Sequence, residues 1–226
     1  MFQPKIFPGA GTPLNVLCLG AHCDDIEIGC GGAILQLLDL NSEVHLTWIV
    51  MTSNEKRKLE AQKGAELFLK KAKSSDVRIL DMRDGYLPYS GASVKDAFED
   101  LKRSIQTPDI IFTHYRHDLH QDHRLVSELT WNTFRNHLIF EYEIPKWDGD
   151  LGIPNAFVSL SENIAKQKIE YLQQVYNTQR EKKWFTDDLF WSLMRIRGME
   201  CVSPSGVAEA FYTRKIMFDF TSSEKT

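Results

Sequence analysis

The sequence predicts an α/β fold: a mostly parallel sheet with helices on both faces. Three observations carry this. Short apolar runs alternate with helical patterns through the first two thirds of the 226-residue chain. The spacing between successive runs is long enough for a crossover helix, which parallel strands require. Finally, two clusters rich in histidine and aspartate each stand immediately after an apolar run, where an open parallel sheet forms its binding crevices.

The extended runs are residues 15–19, 43–50, 77–82 and 109–113, rich in the branched and aromatic residues that strands favour. Helical patterns fill the intervals at 31–40, 55–73 and 94–105, and a further one covers 124–134. Residues 138–143, Leu-Ile-Phe-Glu-Tyr-Glu, read as a fifth strand ended by Ile144-Pro145. Residues 145–154 are rich in Gly, Pro and Asp and read as a loop. Ser161 followed by Glu162 opens a helix running to Tyr176. Thr186-Asp187-Asp188 opens another, which ends near Gly198 with Arg195 and Arg197 placed as the helix dipole prefers. No repeat, low-complexity tract or internal boundary appears, so residues 1–226 are expected to form one domain.

Composition removes several classes of function. A net charge of -4 and a pI near 6.0 supply no basic field for nucleic acid. Hydrophobic residues make up 42% of the chain, and no apolar run approaches the roughly 18 residues of a membrane span, so no integral membrane segment is expected. The segment from Met1 to Pro8 lacks the pattern of a secretory signal, which points to a cytoplasmic protein. Cys18, Cys23, Cys30 and Cys201 form neither a disulfide framework nor a zinc knuckle. Nothing in the sequence sets the oligomeric state, and a homo-oligomer stays open.

The chemistry resides in Ala21-His22-Cys23-Asp24-Asp25 and in His117-Asp118-Leu119-His120-Gln121-Asp122-His123. Catalytic zinc commonly takes three ligands from His, Asp, Glu or Cys and keeps one position for water, and His22, Asp25 and His123 supply such a set. Asp24 and Asp25 are adjacent in a tight loop, so their side chains diverge; one can bind metal while the other faces the water. His120 and His123 are three apart and share one side of a helical turn. His45, His114 and His137 read as structural. Gly29-Cys30-Gly31-Gly32 is an incomplete nucleotide motif; these glycines are expected to start a helix close beneath the metal loop, its free amides available to an anion.

The two clusters resemble the A-H-P-D-D and H-x-D-H signatures of the PIG-L/LmbE-like zinc-dependent N-deacetylases. The resemblance extends to Arg57 with Glu60, to Asp84-Gly85 and to Ala208-Glu209-Ala210-Phe211. It implies a Rossmann-like three-layer sandwich with one Zn²⁺ per chain, held by His22, Asp25 and His123 at the carboxyl ends of the strands. It further implies Asp24 as general base, His120 as general acid or oxyanion partner, Asp122 as orienter of His120, and Arg57 and Asp84 as substrate contacts. Cys23 departs from the pattern by occupying the proline position, as a neutral filler or as a reactive thiol near the metal.

Such a site hydrolyses an amide by combining a Lewis acid, a base and a donor for the leaving amine. The expected substrate is a small N-acetylated sugar, free or linked to a nucleotide, a lipid or a thiol precursor. Tyr89, Tyr142 and Trp147 offer flat faces for a sugar ring, and Arg195-Ile196-Arg197 is either a phosphate site or a helix-terminal charge cluster. Two other readings compete: a metal-dependent phosphoesterase, which usually wants a second metal, and a non-catalytic sugar-binding module.

Overall fold

The computed structural model describes residues 11–217; the N-terminal stretch read for a secretion signal lies outside them. The elements in chain order are β1 (Leu14–Gly20), α1 (Asp25–Leu40), β2 (Val44–Thr52), α2 (Glu55–Phe68), β3 (Ser74–Met82), α3 (Gly91–Ser104), β4 (Ile110–His114), α4 (Gln121–Thr133), β5 (Leu138–Tyr142), β6 (Ala156–Ser159), α5 (Glu162–Val175), α6 (Asp187–Glu200) and β7 (Ala208–Tyr212). The strands form one sheet in the order β3-β2-β1-β4-β5-β7-β6. Strands β1 to β5 pair in parallel, whereas β7 runs antiparallel to both β5 and β6.

Strand periodicity builds the two cores. Along β1, Val16 and Cys18 face the side covered by α1, α2, α5 and α6, while Leu17 and Leu19 face the side covered by α3 and α4. On β2, Leu46, Trp48 and Val50 join the first core and Ile49 and Met51 the second. All of these side chains are buried. The result is the three-layer sandwich expected from the alternation of runs.

Two departures have physical causes. Helix α1 begins at Asp25, so the glycines lie in its second and third turns rather than at its start. They let other groups approach closely: a Cβ at Gly29 would collide with the Tyr142 ring, and one at Gly31 would sit 2.5 Å from Phe68. The amides of Gly32 and Ala33 donate to the Glu209 carboxylate at 2.8 and 2.7 Å, and Lys168 Nζ bonds the Ile28 carbonyl at 2.6 Å. The anion that these amides bind thus belongs to the chain itself. Strands β6 and β7 are the second departure; they are short, and their pairing partners lie far away in sequence.

The chain runs outward from β1 through β2 to β3, then returns to place β4 on the other side of β1. This reversal opens a crevice at the carboxyl ends of β1 and β4. Both histidine clusters lie beside it.

Candidate metal centre

Strand β1 ends at Gly20, and the next four residues turn sharply into α1. The His22 amide donates to Asp25 Oδ2 at 2.6 Å, so Asp25 closes the turn that presents His22. From the other side, β4 ends at His114 and the connecting turn leads to α4, whose N-cap is His120. His123 follows within the first turn of α4 and is buried.

The three expected ligands converge. His22 Nδ1 lies 3.0 Å from His123 Nε2 and 3.3 Å from Asp25 Oδ2, and His123 Nε2 lies 3.5 Å from Asp25 Oδ1. Burial alone would raise the Asp25 carboxyl, but His123, His114 and His22 outweigh it and hold the group well below the ordinary carboxylate range. His22 is pushed the opposite way: burial opposes its charge, yet Asp25, Asp122 and Asp84 together raise its pKa well above the usual value. Burial, with His114 alongside, pushes His123 down to about 3. The two imidazoles are thus pushed in opposite directions, His22 upward and His123 downward.

Asp118 holds His123. Its Oδ2 accepts from Nδ1 of that ring at 2.8 Å, which turns Nε2 and its lone pair toward Asp25 and His22. The same carboxylate accepts from Lys146 Nζ at 3.0 Å and from the His120 amide at 2.8 Å. Sequence reasoning did not single out Asp118. Its five-residue offset from His123 spans the turn and the helix start, a relation that no helical or strand period reveals.

His114 has a structural role, as expected, but exercises it inside the site. It is fully buried, stacks on His123 at 3.9 Å between ring centroids, and its Nε2 lies 3.1 Å from Asp25 Oδ2 and 2.9 Å from the Ala21 amide. It buttresses two of the three expected ligands from beneath. As the last residue of an apolar strand, it carried only its place at the strand's carboxyl end as a signal.

The Asp122 side chain makes no hydrogen bond to His120. Its carboxylate accepts from the amides of Gly85 at 2.8 Å and Leu87 at 3.1 Å, and it faces His22 Nε2 at 3.3 Å. Gly85 has φ +76, a conformation that glycine adopts without a Cβ clash, and this delivers its amide. Asp84, in the same turn, meets His22 Nε2 at 3.1 Å. What reaches His120 is the Asp122 backbone: its N–H donates to His120 Nδ1 at 3.3 Å, placing the neutral ring's proton on Nε2. Burial, with His22 nearby, lowers the His120 pKa.

Asp24 is buried and its carboxyl pKa is raised, first by burial, against the opposing charge of Arg57. Arg57 Nη2 donates to Asp24 Oδ1 at 2.8 Å, and its Nη1 donates to Glu60 Oε2 and Thr178 Oγ1 at 3.1 Å each. The guanidinium expected to touch substrate is thus engaged by the protein. Cys23 packs against the loop with its thiol donating to the Thr52 carbonyl at 3.3 Å, and burial pushes its pKa up to about 12. That is the environment of a neutral filler.

Around this cluster lies a cavity of about 700 Å³, lined in part by His22, Asp24, Asp25, Asp84, His120, His123, Trp147 and Trp184. Of the aromatic candidates, Trp147 lines it. Tyr142 is buried beneath, its hydroxyl donating to the Leu19 carbonyl at 2.6 Å, and Tyr89 is exposed elsewhere. Trp184 was not anticipated. Arg197 is buried and bonded to Glu143 at 2.7 and 2.8 Å, so the 195–197 run supplies no phosphate site there.

The sequence model of PIG-L, described as GlcNAc-PI de-N-acetylase, matches residues 17–134. The chain is 25% identical over 183 residues to YaiS, an uncharacterized deacetylase of Escherichia coli strain K12, covering 77% of this chain and 97% of that protein. Among solved structures, N,N'-diacetylchitobiose deacetylase from Pyrococcus horikoshii superposes with a TM-score of 0.62 at 23% identity, over 88% of this chain and 83% of that one. GalB, the 4-carboxy-2-hydroxymuconate hydratase from Pseudomonas putida KT2440, superposes with a TM-score of 0.70 at 13% identity, over 92% and 100%. At such identities the two structures establish the fold, and their different reactions show that the fold does not choose the chemistry.

Proposed function

The chain belongs to the GlcNAc-PI de-N-acetylase (PIG-L) family of amide hydrolases, and from that premise we propose that it removes the N-acetyl group of an amino sugar or its glycoconjugate with one zinc ion held by His22, Asp25 and His123. The observation that carries this reading is the closeness of the three side chains: His22 Nδ1 lies 3.0 Å from His123 Nε2, and the two oxygens of the Asp25 carboxylate lie 3.3 Å from the one and 3.5 Å from the other. Ligands about 2.1 Å from a tetrahedral zinc lie roughly 3.4 Å apart. Two imidazoles and a carboxylate, each fixed by a further hydrogen bond or ion pair, also suit zinc chemically. When bound, zinc would polarise the acyl oxygen and acidify the attacking water.

The residues of the chain do the rest. Asp24 accepts the proton of the water, its burial raising its basicity while Arg57 holds one oxygen in place. His120, with Nδ1 occupied by the Asp122 amide, presents its Nε2 proton to the developing oxyanion or the departing amine. Asp122 and Asp84 orient His22, and Asp118 orients His123. Arg57 acts by positioning Asp24, and Asp84 remains the substrate contact on the cavity wall.

A two-metal phosphoesterase needs further free carboxylates. The group His22, Asp84 and Asp122 shares His22 with the first set, and the Asp122 carboxylate is already taken by two amides. A sugar-binding module has no need of a buried, Arg-braced carboxylate beside the ligands. The seven strands of the described residues share one sheet, which supports reading the chain as one domain; no helix among those residues is long and apolar enough to cross a membrane, and four free thiols accord with a cytoplasmic setting.

The test is an acetate-release screen of zinc-loaded protein against free, nucleotide-linked and lipid-linked N-acetylhexosamines, with mass spectrometry of the products. Loss of one acetyl unit with the rest of the molecule intact is expected. Release of phosphate, or cleavage of the glycosidic bond, in an Asp24-dependent manner overturns the reading.

A further inference from the structure

We propose that Glu60 and Thr178 are positioning residues of the catalytic base: they hold the Arg57 guanidinium to a single oxygen of Asp24 and so keep its second oxygen open to water. The inference rests on the deacetylase reading above, in which Asp24 is that base. An arginine beside a carboxylate frequently closes on it as a fork, with two parallel N–H···O bonds that occupy both oxygens. Arg57 does not. Its Nη2 donates to Asp24 Oδ1 at 2.8 Å, and Asp24 Oδ2 accepts no hydrogen bond among the described residues. Asp24 lines the cavity, so its second oxygen is the one available to a water there.

What keeps the fork open is the pair of acceptors on Nη1. This nitrogen donates to Glu60 Oε2 and to Thr178 Oγ1, at 3.1 Å each, so both of its protons point away from Asp24. Glu60 is itself fixed: Oε1 accepts from the Thr178 amide at 2.8 Å and Oε2 from the Thr178 hydroxyl at 2.6 Å. Tyr176 backs the guanidinium, its ring centroid 5.5 Å from Arg57 Cζ. An ion pair three residues apart on a helix is ordinarily a solvated one, as Asp100 with Arg103 is, at 72% and 69% side-chain exposure. The Arg57 and Glu60 side chains are at 15% and 11%. Thr178, which completes the arrangement, comes from the segment between α5 and α6, 121 residues beyond Arg57. A carboxylate with its acceptors filled from two separate segments fixes the arginine that a solvated partner would leave to rotate.

The experiment compares wild-type protein with Glu60→Ala, Glu60→Gln and Thr178→Val. Crystal structures of the zinc-loaded proteins show how many bonds Arg57 makes to Asp24, chelator competition gives zinc affinity, and kcat and KM are measured for acetate release from the best N-acetylhexosamine of the screen above. In Glu60→Ala the guanidinium should close on both oxygens of Asp24. Turnover should then fall roughly 10–100-fold, because the base must give up a charge-assisted hydrogen bond before it can take a proton. KM and zinc affinity should stay as in the wild type, since Glu60 lies outside the cavity lining and Asp25 is untouched. Glu60→Gln keeps an acceptor for Nη1, so it should retain the single bond and most of the turnover. Should Glu60→Ala fail to fold, Thr178→Val, which releases one proton of Nη1, is read in the same way. A single Arg57–Asp24 bond in every variant overturns the proposal, as does a closed fork with kcat unchanged, or a loss of kcat matched by a loss of zinc. If the wild type releases phosphate or free sugar instead of acetate, the deacetylase reading falls, and the crystals still decide whether Glu60 and Thr178 hold the fork open. They decide it equally if no compound is turned over.

Discussion

Replacing Asp118 with Asn separates a designed metal centre from a chance gathering of histidines. Asp118 Oδ2 accepts from His123 Nδ1 at 2.8 Å and from Lys146 Nζ at 3.0 Å, while Oδ1 accepts from the His120 amide at 2.8 Å. Asparagine keeps the shape but only one of the two acceptor oxygens, and it removes the negative charge that makes His123 a better ligand at Nε2. Lys146 keeps its pairing with Asp150, so the loop at 145–150 retains an anchor. The expected loss is therefore that of an outer carboxylate behind a ligating histidine, 10–100-fold in zinc affinity, or about 1.4–2.7 kcal/mol. Zinc affinity is read by competition with a chromophoric chelator, and thermal melting in excess chelator reports the metal-free fold separately. A variant that melts like wild type without metal yet binds zinc ten times more weakly or worse is the expected result. Unchanged zinc affinity would refute the argument that Asp118 orients a ligand.

Other substitutions test the remaining assignments. His123→Ala removes one of three expected ligands, and metal analysis at low free zinc should show its occupancy lost. Asp24→Asn should keep the metal but lower turnover by about two to four orders of magnitude, whereas Asp25→Asn should lose metal first; reversed phenotypes would exchange the two roles. Cys23 should resist alkylation at pH 8 in the folded protein and react only on unfolding, because burial holds its thiol neutral; rapid labelling of the native protein at this position would refute this. Glu27 is buried, accepts from Tyr176 and has its pKa raised to about 8, first by burial. Its folded pKa lies above the unfolded value, so its contribution is fully present at about pH 4 and is lost as pH rises toward 8. Metal-free protein should therefore lose up to about 1.4 kcal/mol per pH unit across that window, and Glu27→Gln should flatten the slope; parallel curves for the two proteins would exclude Glu27 as the source.

The sequence alone determined the elements that local pattern controls. The five parallel strands, the Ser161 and Thr186 caps and the two polar clusters all follow from apolar runs and short-range spacing, because strand periodicity and capping act over a few residues. The meeting of His22, Asp25 and His123 was legible for the same reason: each cluster sits directly after an apolar run, and parallel sheets gather such positions. Only the tertiary structure decided which carboxylate serves which ring. Asp122 turns toward His22 and the Gly85 amide, Asp118 takes His123, and Arg57 closes on Asp24, since these choices depend on how turns from separate strands face each other. His114 became part of the site because β4 lies beside β1, a neighbour relation created by the chain's reversal and absent from local sequence. The glycines of α1 show the same division: their spacing marked a close approach, but the groups that approach, Tyr142, Phe68 and Glu209, come from elements that only folding brings to that helix.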